Sequence, residues 1–325
     1  MPPEFAGIEP VHFETTDPGT AWSKDPWIAI DQDTPLDSER VLTPNVIRLP
    51  GGGYRMYYMG RGPERAVPEA VGYVLSASSE DAITWVKDSG VRVDVFPPNA
   101  SVRTLCPDVI PLPDGRYRMY FEAGSPDQPT VVLSAVSEDG LAFAVEPGIR
   151  VGDAKWSYGS PRCVYVQSGD SGEAAPMYRL YHHKYTFPLV SGIDAGNEIV
   201  SSISEDGLDF KREPGVRIAQ ETSRETMAVY APEVIRLGDG TYRMYYAAWT
   251  DEISGGAFSA TSQDGLDWVK DSGICVELGT SGTWDADMVS EPCIIGLRNG
   301  RARLFYEARD DDGNCRILSA TSQQP

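Results

Sequence analysis

The stretch Tyr230-Ala-Pro-Glu-Val-Ile-Arg-Leu-Gly-Asp-Gly-Thr-Tyr-Arg-Met-Tyr-Tyr-Ala-Ala-Trp249 reads as two short strands around a tight turn. The apolar run from Val234 to Leu237 favours extended backbone, Gly238-Asp239-Gly240 reverses the chain, and Tyr242 to Tyr246 returns beside it. Pro232 fits the start of a strand, where its missing N–H costs least. The pattern recurs from Thr43-Pro-Asn-Val-Ile to Tyr54-Arg-Met-Tyr-Tyr58 and from Cys106-Pro-Asp-Val-Ile to Tyr117-Arg-Met-Tyr-Phe121. It recurs again from Ser160-Pro-Arg-Cys-Val to Tyr178-Arg-Leu-Tyr-His182, across a long polar loop (Gln167 to Pro176), and from Glu291-Pro-Cys-Ile-Ile to Ala302-Arg-Leu-Phe-Tyr306.

A second signature follows the hairpins. Ser76 to Trp85, Ser134 to Phe143, Ser201 to Phe210 and Ser259 to Trp268 each supply a third strand, an Asp-centred turn and an aromatic residue. The aromatic is placed to fill the space between neighbouring sheets. Lys87-Asp-Ser-Gly, Glu146-Pro-Gly, Glu213-Pro-Gly and Lys270-Asp-Ser-Gly then lead to the next copy. Four strands in about 60 residues per copy match a propeller blade. The last copy stops after Ile317-Leu-Ser-Ala-Thr-Ser322, and Thr16 to Trp27 resembles the missing part.

The expected fold is therefore all-β: one five-bladed β-propeller of four-stranded antiparallel blades, closed by the N-terminal strand in the last blade. Blade one covers about 40–99, blade two about 100–150, blade three about 151–217 and blade four about 218–276. Blade five covers about 277–322 with its outer strand from about 10–30, leaving a single domain over 1–325. Closure removes the sheet edge that an open array would expose.

Composition narrows the partners. The 325 residues carry 48 acidic and 28 basic side chains, a net charge of -20, which argues against nucleic acid or an anionic membrane surface. No apolar stretch is long enough to span a membrane, and no basic-then-apolar leader precedes the repeats. Five cysteines without Cys-x-x-Cys spacing read as reduced, buried thiols, and the chain reads as cytoplasmic. A small-molecule or glycan substrate is the expected partner.

Each inner strand begins, and each second strand ends, at the same mouth of the central channel. Counting out from Asn299-Gly300 pairs Pro292 with Glu307 and brings Glu291 close; the same count puts Glu122 near Pro107 and Asp108. The frame repeats while this rim varies, which marks a binding mouth. Glu291, Glu233, Asp108, Glu122 and Glu307 are the candidate catalytic carboxyls, because burial and like charge raise one pKa of such a pair. Their alternative role is ion pairing with Arg61, Arg162 and Arg309. Asn45, Arg61, Arg162, His183, Tyr185, Trp249, Trp284, Asp285 and Arg309 are candidate substrate contacts. Strand alternation sends His182 and His183 to opposite faces, with His183 in the column of Glu122 and Glu307. There it either hydrogen-bonds or joins carboxylates around a divalent metal in the channel. Trp156, Trp249 and Trp284 are either sugar platforms or packing plugs.

Over its whole length the chain resembles the five-bladed propeller glycoside hydrolases, the superfamily that includes families 32, 43, 68 and 130. Cys106-Pro-Asp-Val-Ile and Ala231-Pro-Glu-Val-Ile are similar to the family's Ala-Pro-Asp motif, and Trp284-Asp-Ala-Asp to its Trp-Asp loop. The resemblance implies three carboxylates at the mouth acting as nucleophile or base, general acid and pKa modulator. The usual catalytic pattern is not reproduced. Thr43 and Ser160 stand where Asp precedes Pro, Tyr230 and Ala231 stand near the expected acid, and Leu105 replaces the glutamate of Glu-Cys-Pro-Asp. Asp108 alone matches a motif position outright. A glycosidase-like hydrolase is the leading expectation. The alternatives are a lyase, isomerase or cyclase on the same scaffold, and a non-catalytic glycan- or protein-binding propeller.

Overall fold

In a computed structural model, residues 17–167, 176–188, 196–250, 254–297 and 299–323 are described. Five antiparallel sheets form the blades of a propeller. From the channel outward, blade one is Arg40–Arg48, Tyr54–Arg61, Tyr73–Ser79 and Val86–Lys87. Blade two is Arg103–Pro111, Tyr117–Gly124, Val131–Ser137 and Ala144–Val145, and blade three is Trp156–Gln167, Pro176–Thr186, Glu198–Ser204 and Lys211–Arg212. Blade four is Ala228–Arg236, Tyr242–Trp249, Ala257–Ser262 and Val269–Lys270. Blade five is Met288–Gly296, Ala302–Arg309 and Cys315–Ser322, closed by Trp22–Lys24. Trp22 pairs with Ser322 and Lys24 with Ala320, so the first described strand completes the last sheet. One addition was not legible: Ser254–Gly255 runs parallel to Met288 and Val289, giving blade five a fifth strand at its inner edge. Part of the expected closing segment (10–16), most of the polar loop of blade three (168–175) and Arg298 lie outside the described residues.

The repeated residues fasten the strands of a blade together. A second-strand arginine, a third-strand serine and an acid after the fourth strand meet in every blade. Ser76, Ser134, Ser201, Ser259 and Ser319 each donate at 2.7 Å to Asp88, Glu146, Glu213, Asp271 and Asp25 respectively. The same acids pair with Arg55, Arg118, Arg179, Arg243 and Arg303. Asp25, from the N-terminal segment, takes the place that Asp271 holds one blade earlier. The likeness between the two ends of the chain is thus a likeness of hydrogen-bonding roles.

Between blades, one aromatic ring meets another edge-on. Phe143 meets Tyr57, Phe210 meets Tyr120, Trp268 meets Tyr181, Trp22 meets Tyr245 and Trp85 meets Phe305, at centroid distances of 5.5–6.0 Å. Such pairs add to the burial of apolar area that holds sheets face to face. Tyr57, Tyr120, Tyr181 and Tyr245 also donate their hydroxyls to the carbonyls of Gly140, Gly207, Gly265 and Gly19, at 2.7–2.8 Å. The seam between blades five and one is different. There Phe305 replaces the tyrosine and Ala82, at φ 58°, replaces the glycine. A Cβ on Gly140 would lie 2.7 Å from the Tyr57 hydroxyl, so methyl and hydroxyl exclude one another.

This exclusion is testable by denaturant unfolding. Phe305→Tyr should lose about 1–3 kcal/mol through overpacking against Ala82. Adding Ala82→Gly should restore most of the loss, a coupling of about 1–3 kcal/mol. Additive effects of the two substitutions would refute the exclusion.

Candidate active site

The register at the mouth departs from a simple count because the hairpins pair about Asn299 and Asp114 themselves and because every inner strand carries a bulge at its proline. Ser290 pairs with Glu307 and Cys293 with Phe305, leaving Glu291 and Pro292 opposite Tyr306 alone. The same shift occurs at Leu42/Asn45, Leu105/Asp108, Gly159/Arg162 and Tyr230/Glu233. Glu307 therefore faces Ser290 rather than Pro292, and Glu122 faces Leu105 rather than Pro107. In the bulges Thr43, Cys106, Ser160, Ala231 and Glu291 have φ of 53°, 49°, 44°, 51° and 47°. This left-handed backbone costs a side-chain-bearing residue roughly 1–2 kcal/mol. The five residues form one ring of the mouth, and Glu291 is its only carboxyl.

The residues after the prolines fasten the blades to each other. Asn45 accepts from the Val109 N–H at 3.0 Å, Asp108 from the Cys163 N–H at 2.7 Å and Glu233 from the Ile294 N–H at 2.9 Å. Cys293 accepts from the Val46 N–H at 3.2 Å. Arg162 cannot accept, and crosses the channel instead. Its guanidinium donates to Glu233 at 2.8 Å and to the carbonyls of Pro44, Pro107 and Pro161 at 3.2, 3.3 and 2.9 Å. Burial pushes Asp108 up to about 7 against the pull of Arg162 and the Cys163 N–H. Burial raises Glu233 as well. Asp108, Glu233, Arg162 and Asn45 are thus engaged with each other and with neighbouring backbone.

Glu291, Glu307 and Glu122 are placed differently. Glu291 Oε1 accepts from Ser160 Oγ at 3.0 Å and lies 3.8 Å from Cys106 Sγ, while Oε2 is buried with no partner among the described residues. Glu307 accepts from the Thr43 N–H at 3.1 Å. Glu122 pairs with Arg103 at 3.1 Å and accepts from the Ser160 N–H at 3.3 Å. A Cβ on Gly159 would overlap its carboxylate, so the glycine makes room for it. Burial first and the Glu291 charge second push Glu307 from 4.5 up to about 8. Burial likewise pushes Glu291 up to about 7, against Arg162 and Ser160, with the Glu122 charge adding to the rise. The charge of Glu291 thus links the titration of Glu307 to its own.

Aromatic groups stand beside them. His183 stacks on Tyr185 at 4.7 Å and lies 5.8 Å from Tyr230, whose hydroxyl meets Ser290 Oγ at 2.6 Å. Burial lowers His183 to about 3, so the ring is neutral. His182 faces the other way, onto Ser202 and Tyr158. Half-buried Trp249 is 5.9 Å from Tyr230, and the Trp156 ring lies under the ammonium groups of Lys155 and Lys184.

Other candidates are occupied elsewhere. Asp285 accepts from Tyr306 and Thr283 at 3.0 Å and pairs with Lys24 of the closing strand at 2.5 Å. Asp37 with Tyr58 and Lys87, and Glu225 with Tyr246 and Lys270, repeat that arrangement. Asp285 is thus part of a repeated fastening, and its neighbour Trp284 is 41% exposed. Arg61 pairs with Glu39 and Arg309 with Asp287. Among the described residues no group of three or more His, Cys, Asp or Glu side chains is arranged to hold a metal ion. Cys106, Ser160, Tyr230 and Arg103 were not singled out from sequence. The signal for the first two was their place before the proline, once that place is known to be a bulge. All five cysteines are free and buried, but Cys106 lies among the mouth carboxyls rather than in the core.

No family profile matches the chain. Over 105 residues it is 34% identical to an uncharacterized protein of Mycobacterium tuberculosis, covering 31% of this chain and only 33% of that protein. Solved structures share the whole fold at low identity. A thermostable family-43 glycoside hydrolase superposes with a TM-score of 0.67 at 16% identity, covering 91% of this chain and 90% of the other. An endo-arabinase from Bacteroides thetaiotaomicron gives 0.62 at 16% identity, with 90% and 96% covered. An N-acetylgalactosamine deacetylase from F. plautii, solved with blood group B trisaccharide, gives 0.69 at 17% identity, with 92% and 95% covered. The five-bladed fold is thus one that glycoside hydrolases and related enzymes share.

The strut role of Arg162 predicts its mutants. Arg162→Met should cost about 3–5 kcal/mol, because it leaves Glu233 buried and unpaired. Adding Glu233→Gln should recover much of that, since the amide oxygen still accepts from Ile294. Urea midpoints of the two variants decide; equal losses would exclude the strut.

Proposed function

We propose that the protein is a carbohydrate-active enzyme that cleaves a glycosidic bond at the channel mouth, with Glu291 and Glu307 as its acid–base pair. The observation that carries this is the charge coupling of two buried carboxyls raised to about 7 and about 8. Near neutral pH such a pair holds one proton, so one member can protonate a leaving oxygen while the other stays ionised. The ionised member activates water or attacks the anomeric carbon, the two outcomes that carboxyl pairs support in glycoside cleavage. Glu122, held by Arg103 and the Ser160 N–H, adds negative charge that favours the protonated form of Glu291. This is a modulating role. The shared fold and the aromatic flank of Tyr230 and Trp249 support a sugar as the substrate.

The pH dependence follows in sign. Below about 7 both members are protonated and no base remains; above about 8 both are ionised and no acid remains. Hydrolysis of an aryl-glycoside panel should therefore show a bell with neutral to mildly alkaline optimum. Glu291→Gln and Glu307→Gln should each lower kcat by about 100-fold or more. Retention of full activity in either variant, or no turnover of any glycoside, would sink the proposal.

Stability should move the opposite way. A carboxyl whose folded pKa is raised contributes stability that is fully present below its unfolded value of 4.5 and is lost as pH rises through about 8. Glu307→Gln should accordingly stabilise the fold at pH 9 by on the order of 2 kcal/mol, read as a higher thermal midpoint. At pH 4 the gain should vanish.

A further inference from the structure

The mouth is chemically lopsided. Blades three and four carry the rings, with His183 on Tyr185 and Tyr230 between His183 and Trp249. Blade four also has alanine at both mouth positions: Ala231 in the bulge, and Ala247 opposite Tyr230, where blades two, three and five place Glu122, His183 and Glu307. Blade five adds Glu291 and Glu307. Along this arc His183 Nε2, Trp249 Nε1 and Glu291 Oε2 are buried without a partner among the described residues. Indoles are left unpartnered elsewhere, at Trp22, Trp27 and Trp85, so the weight falls on His183 and Glu291. Both are more than nine-tenths buried, at 8% and 5% exposed. Leaving such an atom unsatisfied costs about 1–3 kcal/mol, which a ligand can relieve.

The charges around the arc say what kind of ligand. Four rim cations are already paired, Arg61 with Glu39, Arg103 with Glu122, Arg309 with Asp287 and Lys184 with Glu198, and Lys155 lies over the Trp156 ring. Arg40, exposed at the start of its strand, acts on Glu307. An anionic sugar would therefore meet three carboxyls with little free positive charge to receive it. A hydroxyl both donates and accepts, so it satisfies neutral His183 in either tautomer and Glu291 in either protonation state. An ammonium only donates.

We propose that this arc of blades three to five is the subsite for one uncharged sugar ring, resting on Tyr230 and Trp249, with its hydroxyls bonded to His183 Nε2 and Glu291 Oε2. The inference deepens the carbohydrate reading of the mouth and rests on it, but it does not require cleavage.

Binding to the full chain tests it, followed by tryptophan fluorescence and calorimetry. The probes are methyl D-galactopyranosides, methyl β-D-xylopyranoside and methyl α-L-arabinofuranoside, set against D-glucuronate and D-glucosamine. At least one neutral glycoside should bind about 10-fold more tightly than either charged sugar. His183→Phe keeps the ring stack but removes both nitrogens; it should weaken that binding about 10-fold at an unchanged thermal midpoint. Trp249→Phe, which keeps a ring and removes the N–H, is the second variant should the first fail to fold, and should weaken binding about 3-fold. Tighter binding of a charged sugar, no binding of any neutral one, or wild-type affinity in the folded variants overturns the proposal. Binding without turnover would sink the cleavage reading and leave the subsite standing. Turnover with KM unchanged in both variants would do the reverse.

Discussion

The inner strand of a propeller blade pairs along its length on one edge only; its other edge, beyond short pairings at its start such as Ser254–Gly255 with Met288 and Val289, faces the channel. Backbone N–H groups on that edge are buried and need acceptors from outside the sheet. Here the side chain after each proline reaches across to the next blade: Asn45 to Val109, Asp108 to Cys163, Glu233 to Ile294 and Cys293 to Val46. The ring of blades is therefore joined at its narrowest point by polar side chains, in addition to the aromatic contacts farther out. Where the series would have its third member, Arg162 stands. It takes up no N–H of the next blade and instead donates to Glu233 and to the carbonyls of three prolines, joining blades through their acceptors.

That requirement separates two kinds of carboxyl that look alike in composition. Asp108 and Glu233 are consumed in holding blades together. Glu291 and Glu307 sit one step nearer the mouth, where the bulge turns the backbone and supplies fewer donors. Each keeps one backbone N–H or hydroxyl partner, and burial without full compensation raises its pKa. Poor solvation of the charged form is a stability cost, and it also creates the protonation states that acid–base chemistry needs. The bulge thus links backbone strain to the electrostatics of the mouth.

Much of this was legible. The fivefold repeat, the antiparallel hairpins, the aromatic between blades and the closing role of Trp22 to Lys24 all follow from spacing and residue type. Glu291, Glu307, Glu122, His183 and Trp249 were placed at the mouth because they lie at strand ends that face one way. The roles of individual rim residues were not legible. The hairpin pairs about Asn299 and the bulge adds one residue to the inner strand, so counting from Asn299-Gly300 misplaced Glu307 by two positions and hid the ring containing Cys106 and Ser160. Asp285 looked like part of the mouth, yet it belongs to a fastening repeated at Asp37 and Glu225; each acid stands three residues before its inner strand (Met288, Arg40 and Ala228), but the residue type changes from Asp to Glu.

The sequence by itself determined the architecture, because a blade is local: strand propensity, turn residues and a fixed interval between signatures all act within one copy. It also determined which positions vary and therefore where a site could be. Only the tertiary structure decided which carboxyl is a fastener and which is left half-satisfied. Asp108 in blade two and Glu291 in blade five lie beside equivalent prolines. What distinguishes them is the partner each meets: the Cys163 N–H across the seam to the next blade in one case, and Ser160 and Cys106 across the channel in the other. Those contacts join residues more than fifty positions apart, and they exist only once five blades have closed into a ring.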